Sequence, residues 1–167
     1  MENYIVINGK KAELTEEQLK QLGINVEVNK ETPFTRHSGE LYWYISPINV
    51  ITGQRDCNDN FDNALSDNIN YFNDSKFAQQ VALQQLLYRK LLKYAYTHDA
   101  FVDDWTDLNS KKYLILQSKD NNNIFYVDWN HRIKHGCSIY FTNNRVAEQA
   151  IEDVIKPFME EHPEFEW

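Results

Sequence analysis

INYFNDSKFAQQVALQQLLYRKLLKYAYT, residues 69–97, carries two signals in succession. Ile69 to Phe72 reads as a short strand ending on two aromatics. From Ser75 to Thr97 the spacing becomes helical, with Phe77, Val81, Tyr88, Leu91, Leu92 and Ala95 close to one stripe. Such a helix is on the order of 35 Å long at 1.5 Å rise per residue. Arg89, Lys90 and Lys93 near its end suit the negative pole of the helix dipole.

The arrangement returns in SIYFTNNRVAEQA, residues 138–150. In both stretches an aromatic pair, Tyr71-Phe72 or Tyr140-Phe141, closes a strand. A residue able to cap follows, and a helix with an early alanine, Ala78 or Ala147, begins. Val146, Ala150, Ile151, Val154 and Phe158 form the second apolar stripe, and Pro157 predicts its weakening or end. A hairpin precedes each stretch. Leu41–Ser46 and Val50–Thr52 flank Pro47 and Asn49, while Lys112–Ser118 and Ile124–Trp129 flank Asp120–Asn123. The segment from Asp56 to Asn68 reads as a loop rich in Asp and Asn. The expectation is an α+β fold with a mainly antiparallel sheet and two long helices on one face. It is built from two similar strand–strand–strand–helix units, 40–98 and 111–160.

An N-terminal unit, residues 1–30, stands before them. Tyr4–Ile7 and Lys11–Leu14 flank Asn8-Gly9, a type I′ hairpin signal. Thr15 with Gln18 fits a capping box, Glu16 and Glu17 favour a helix start, and Gly23 suits a helix end. Ile24, Val26 and Val28 alternate as in a strand, and residues 29–39 read as a connection. At 167 residues the whole chain, 1–167, reads as one domain.

The net charge of −8 argues against direct nucleic-acid binding, which relies on Lys and Arg neutralising phosphates. No apolar run approaches the roughly 18 residues of a membrane span. The opening MENYIVINGKK has neither the basic start nor the long apolar stretch of a signal peptide, so the expected location is the cytoplasm. The two cysteines, Cys57 and Cys137, occur in unrelated contexts and read as free thiols in a reducing compartment.

Sites for chemistry are weak. Asp56-Cys57-Asn58-Asp59-Asn60 starts like a calcium loop, but Phe61 stands where the sharp turn needs Gly and Asp67 where a bidentate Glu is needed. His131, His135, Asp128 and Cys137 include zinc-binding residue types, yet the stretch lies between strands and no Glu follows the first His. The 5 glycines are scattered and form no phosphate loop. The reading is therefore no enzyme, no metal and no cofactor.

The opening ENYIVINGKKAELTEEQLKQLGI resembles the start of small uncharacterised proteins from phages and integrated elements of AT-rich Gram-positive bacteria. The similarity continues in Pro33-Phe34, in Gly39 to Ile45, in Asn70-Tyr71-Phe72, in Asp128 to Asn130 and in Ile139 to Phe141. A Gly-Asn pair before Phe belongs to that pattern, and the present chain, with Ile69-Asn70-Tyr71, departs from it at the Gly. Such accessory proteins often bind and inhibit bacterial defence systems. The resemblance thus implies a protein that binds a host macromolecule, such as a CRISPR-type defence nuclease, in the bacterial host cytoplasm. A small-ligand or nucleotide-sequestering protein and an oligomerising structural or regulatory protein are the alternatives.

Charge placement adds to this. Between Asp56 and Ser75 there are five Asp and no Lys or Arg, and between Tyr94 and Ser110 there are four Asp and again no basic residue. Carboxylates on a rigid scaffold are able to occupy a basic groove. The expected partner-binding residues are Asp99, Asp103, Asp104 and Asp107, with Trp105 as apolar anchor. The expected partner is a host protein with a basic surface.

Overall fold

The computed structural model describes residues 4–7, 10–22, 31–118, 124–136 and 138–167. They fall into two compact units, Met1–Thr32 and Pro33–Trp167. In the first, β1 (Tyr4–Ile7) pairs antiparallel with β2 (Lys10–Glu13), with Ile7 opposite Lys10. That register leaves the two-residue connection that an Asn-Gly pair favours. Helix α1 (Glu16–Gln21) opens on a reciprocal capping box. The Thr15 N–H donates to Gln18 Oε1 at 2.9 Å, and the Gln18 N–H donates to Thr15 Oγ1 at 3.3 Å. Asn8, Gly9, Gly23, the Ile24–Val28 alternation and the Asp120–Asn123 turn lie outside the described residues.

The second unit begins with the antiparallel hairpin β3 (Leu41–Ile45) and β4 (Ile51–Arg55). The stretch after it is a helix, α2 (Asn60–Asp67), and not the loop expected there. Asp59 Oδ1 accepts from the Phe61 and Asp62 N–H groups, and Asp62 Oδ2 accepts from the Asp59 N–H. Two aspartates here build the box that Ser or Thr with Glu usually builds, so Asx-rich composition hid a helix start. A second correction concerns Ile69–Phe72. Only Phe72 pairs, bridging to Trp43 of β3, while Ile69 takes a left-handed conformation at φ 55° that ends α2.

Helix α3 (Ser75–Thr97) follows, capped by Asp74. Its buried stripe is Ala78, Ala82, Leu83, Leu87, Leu91 and Ala95. Of the stripe read from the sequence, Leu91 and Ala95 lie in it and Tyr88 is exposed. Several registers of an aromatic-rich helix look alike in sequence, and small Ala faces let neighbouring elements approach closely.

Strands β5 (Lys112–Ser118), β6 (Ile124–Asn130) and β7 (Tyr140–Phe141) form an antiparallel sheet in the order β6-β5-β7. β7 is shorter than the expected Ser138–Phe141. It leads into α4 (Asn144–Ala150), a π turn (Ile151–Ile155) and α5 (Lys156–Glu161). Among the described residues there is thus one long helix, and the second helical run is interrupted. The Lys156 N–H donates to the Ile151 carbonyl, a wide i→i−5 bond placed just before Pro157. Pro157 then falls in the first turn of α5, where its missing N–H is tolerated, and the helical run continues past it to Glu161.

The two halves share local pairing. The first strand of each hairpin, β3 or β5, takes its hairpin partner on one edge and the aromatic segment on the other. Each aromatic segment precedes a helix capped by Asp74 or Asn143. They differ in what lies between: α2 in the first half, irregular chain at 131–136 and 138–139 in the second. The main core joins Leu83, Leu87 and Leu91 of α3 to Phe141, to Ala147 and Ala150 of α4, and to Ile155, Phe158 and Phe165. Phe125 and Val127 of the sheet pack against it. Among the described residues no helix is long and apolar enough to cross a membrane.

Candidate functional site

The segment from His98 to Ser110 leaves α3 and crosses to β5. Asp99 sits at the turn that ends α3, at φ 50°. Its N–H donates to the Tyr96 carbonyl and the Ala100 N–H to the Ala95 carbonyl, the two bonds of a Schellman motif. The chain then borders β7. The Thr142 N–H donates to the Ala100 carbonyl at 2.7 Å and the Val102 N–H to the Tyr140 carbonyl at 3.2 Å. These bonds tie the loop's origin to the sheet.

Beyond this point the loop is pinned on the sheet face turned away from the helices. Val102 and Trp105 pack with Leu114, Leu116 and Tyr140. The Trp105 ring meets Tyr140 edge-on at 4.8 Å. Asp104 Oδ1 accepts from the Thr106 hydroxyl and the Thr106 N–H, both at 2.7 Å, and these bonds hold its carboxyl below the ordinary range. Asp107 Oδ1 accepts from the Asn109 N–H. Lys112, only 1% exposed, donates its three ammonium protons to the Asp107 carbonyl, the Ser110 carbonyl and Ser110 Oγ. A buried ammonium with all donors satisfied clamps the loop base.

Of the five residues expected to bind a partner, Asp99, Asp103, Asp104 and Asp107 are exposed and Trp105 is half-buried in packing. The loop is free of basic residues in sequence but not in space. Lys112 and Lys134 place their ammonium groups 5.6 and 5.7 Å from the Trp105 ring. A different tryptophan is presented outward. Trp129 ends β6 at 45% exposure, with the Lys111 ammonium 4.2 Å from its ring centre and His131 edge-on at 4.9 Å. It lines an open groove of about 510 Å³ with Leu108 and Ile133, themselves 50% and 61% exposed. Strand alternation groups Trp129 with Phe125 and Val127, which reach the core. Trp129 lies past the stretch of β6 that the helices cover, a fact of helix placement that alternation does not carry.

The other acidic run is used internally. Arg36 reaches in from outside the run, its guanidinium binding both oxygens of Asp56 and also Asn63 Oδ1. Asp56 further accepts from the Tyr71 hydroxyl and the Asn58 N–H. Asp62 accepts from the Tyr42 hydroxyl at 2.6 Å and from the Cys57 and Asp59 N–H groups. Tyr42 and Tyr71 stack at 4.1 Å above this network. The Arg36 bonds hold the Asp56 carboxyl well below the ordinary range, and the Tyr42 bond does the same for Asp62. Burial and the Asp62 bond together push the Tyr42 phenol up. Asp59 and Asp74 cap α2 and α3. Four of the five aspartates in this run therefore have structural partners, and the two buried carboxylates have their oxygens occupied by donors. Among the described residues no group of three or more His, Cys, Asp or Glu side chains is placed to hold a metal, and Cys137 lies outside them.

No protein-family model, curated protein or solved structure matches this chain.

Proposed function

We propose that this protein acts without catalysis, by binding another protein through loop 98–110 and the end of β6. The observation that carries the reading is the joint exposure of Leu108, Trp129 and Ile133 in one groove, beside a loop that also presents Asp103, Asp104 and Asp107. Exposed apolar groups rimmed by charge are the usual composition of a protein interface, with tryptophan the strongest anchor type. The rim is mixed, since Lys111 and Lys134 stand beside the tryptophans. The partner surface then offers an apolar pocket with basic groups for the aspartates. The sequence resemblance supports a setting: a phage or mobile-element accessory protein in a bacterial cytoplasm, binding and inhibiting a host defence nuclease.

The ligand-sequestering alternative calls for a cavity with converging polar groups. The cavity between α3 and the sheet, about 320 Å³, is lined by apolar side chains such as Leu87, Leu91, Ile115, Ile139 and Phe141, with Gln84, Tyr88 and Ser138 as polar groups and no charged side chain to orient a ligand. The test is parallel capture from host lysate with the wild-type chain, with Trp129→Ala, and with Asp99, Asp103, Asp104 and Asp107 all changed to Asn. A partner retained by wild type and lost with Trp129→Ala, and whose nuclease activity falls on adding the wild-type chain, supports the reading. Equal retention by all three folded proteins removes this surface from consideration.

A further inference from the structure

A second cleft lies between the β3–β4 hairpin and the first half of α3, about 430 Å³ in volume. Trp43 and Ile51 of the hairpin form one wall, and Glu164 and His162 of the C-terminal tail stand at its mouth. Three features distinguish it from a packing gap.

The first is Gly53, which is directly opposite Trp43 across the hairpin. A Cβ there would come within 3.3 Å of Trp43 Nε1. Glycine inside a strand marks a bulge or a close approach by a ligand or another backbone. The β3–β4 register runs unbroken from Leu41↔Arg55 to Ile45↔Ile51, so no bulge is present. The group that approaches is the Trp43 indole itself, so the glycine seats the ring's Nε1 edge against the hairpin as the wall of the cleft. The second is the Trp43 indole N–H, which makes no hydrogen bond among the described residues. The third is Glu164, whose carboxylate is aimed by the surrounding chain. Gln79 Nε2 donates to Glu164 Oε1 at 2.8 Å and Gln80 Nε2 to its main-chain carbonyl at 2.6 Å. The Glu166 N–H donates to Gln80 Oε1 at 2.9 Å, which ties the tail to α3. Oε2 of Glu164 takes no hydrogen bond among the described residues. Among the described residues no Lys or Arg lines the cleft, although Arg89 donates to the lining Asn49 Oδ1 at 2.6 Å, and the nitrogen able to carry charge that stands beside Oε1 of Glu164 is His162 Nδ1 at 4.0 Å.

An aromatic wall and an oriented carboxylate with one oxygen left for a donor together match a flat organic cation. We propose that this cleft binds a guanidinium group, with its plane against Trp43 and its N–H donors directed to Glu164. Guanidinium combines stacking on an aromatic with directional bonds to a carboxylate, which a neutral group of the same shape does not reproduce.

The test uses N-acetyl-arginine amide as probe and N-acetyl-citrulline amide as its uncharged match. Binding is followed on the Trp43 indole N–H resonance, assigned with Trp43→Phe. The expected result is a saturable shift with the arginine probe and none with citrulline. Glu164→Gln keeps an acceptor for Gln79 and removes the charge, and is expected to weaken binding about tenfold. Gly53→Ala, checked for unchanged melting, displaces the indole from its seat and weakens binding as well. A pentapeptide with a central Arg separates the two sources of the group. Tighter binding than the amide assigns a protein-borne arginine, and equal binding assigns a free guanidino compound. No saturable shift at millimolar probe, an equal shift with citrulline, or unchanged affinity in a folded Glu164→Gln protein overturns the proposal.

Discussion

Ile69 ends α2 at φ 55° with its side chain 64% exposed. The Ile69 N–H donates to the Ser66 carbonyl and the Asn70 N–H to the Leu65 carbonyl, so the residue occupies the position of a Schellman motif that glycine fills most readily. A left-handed conformation costs an L-residue roughly 1–2 kcal/mol, and a β-branched side chain is among the least suited to it. Ile69→Gly is expected to stabilise the protein by about 1 kcal/mol, less whatever glycine loses in chain entropy, read as a rise in melting temperature. Asp99 holds the same place after α3, but Asp tolerates the conformation better, so Asp99→Gly gains less. The buried carboxylates permit a second residue-scale prediction. Tyr42→Phe leaves Asp62 without its phenol donor in a fully buried place and costs about 1–3 kcal/mol. Folding lowers the carboxyl pKa of both Asp56 and Asp62, so their contribution is present above the unfolded value of about 3.9 and is lost as pH falls below it. Acid denaturation is expected to set in below about pH 4 and to be shallower in Asp62→Asn, followed by circular dichroism against pH. Tyr42 has the opposite sign. Its raised pKa contributes stability below about pH 10 that is lost as pH climbs above it.

At the scale of elements, α3 decides the packing of the second unit. It lies against the β3–β4 hairpin and against α4 and the π turn. Leu87→Ala removes buried side-chain volume between α3 and the sheet and is expected to cost about 2–5 kcal/mol. Tyr88→Ala changes an exposed position and is expected to cost less than about 1 kcal/mol. Chemical denaturation of the pair checks the register, since equal losses would place the buried face between them. The extent of α3 was legible because it carries a capping Asp and no Gly or Pro. Its register was not, because Tyr and Leu neighbours fit either face and only the packing partner chooses. α2 was missed for a related reason. Asp and Asn favour caps and turns, and whether Asp59 and Asp62 cap a helix or decorate a loop depends on the buried Tyr42 and the main chain that meet Asp62.

At the scale of the molecule, Trp105 of loop 98–110 and Trp129 of β6 separate stability from binding. Trp105→Ala removes a ring packed on Tyr140 and is expected to lower the melting temperature. Trp129→Ala is expected to shift stability by no more than about 0.5 kcal/mol and to weaken partner binding by about 2 kcal/mol or more. Calorimetric melting and titration of the captured partner, run on both variants, check the assignment, and a reversed pattern would return the anchor to Trp105. By itself the sequence determined what is local. The α+β class, the three hairpins, the capping box of α1, the span of α3 and the start of α4 follow from alternation, turn chemistry and caps, which act within a few residues. The tertiary structure decided what depends on distant partners. Arg36 meets Asp56, so an acidic run becomes a buried network. Lys112 and Lys134 come beside Trp105, so a loop without basic residues of its own is flanked by them. The helices stop covering β6 before Trp129, so a residue in core register faces solvent. Charge pairing and burial are set by proximity in space, and strand and helix periodicities do not encode which distant residue arrives.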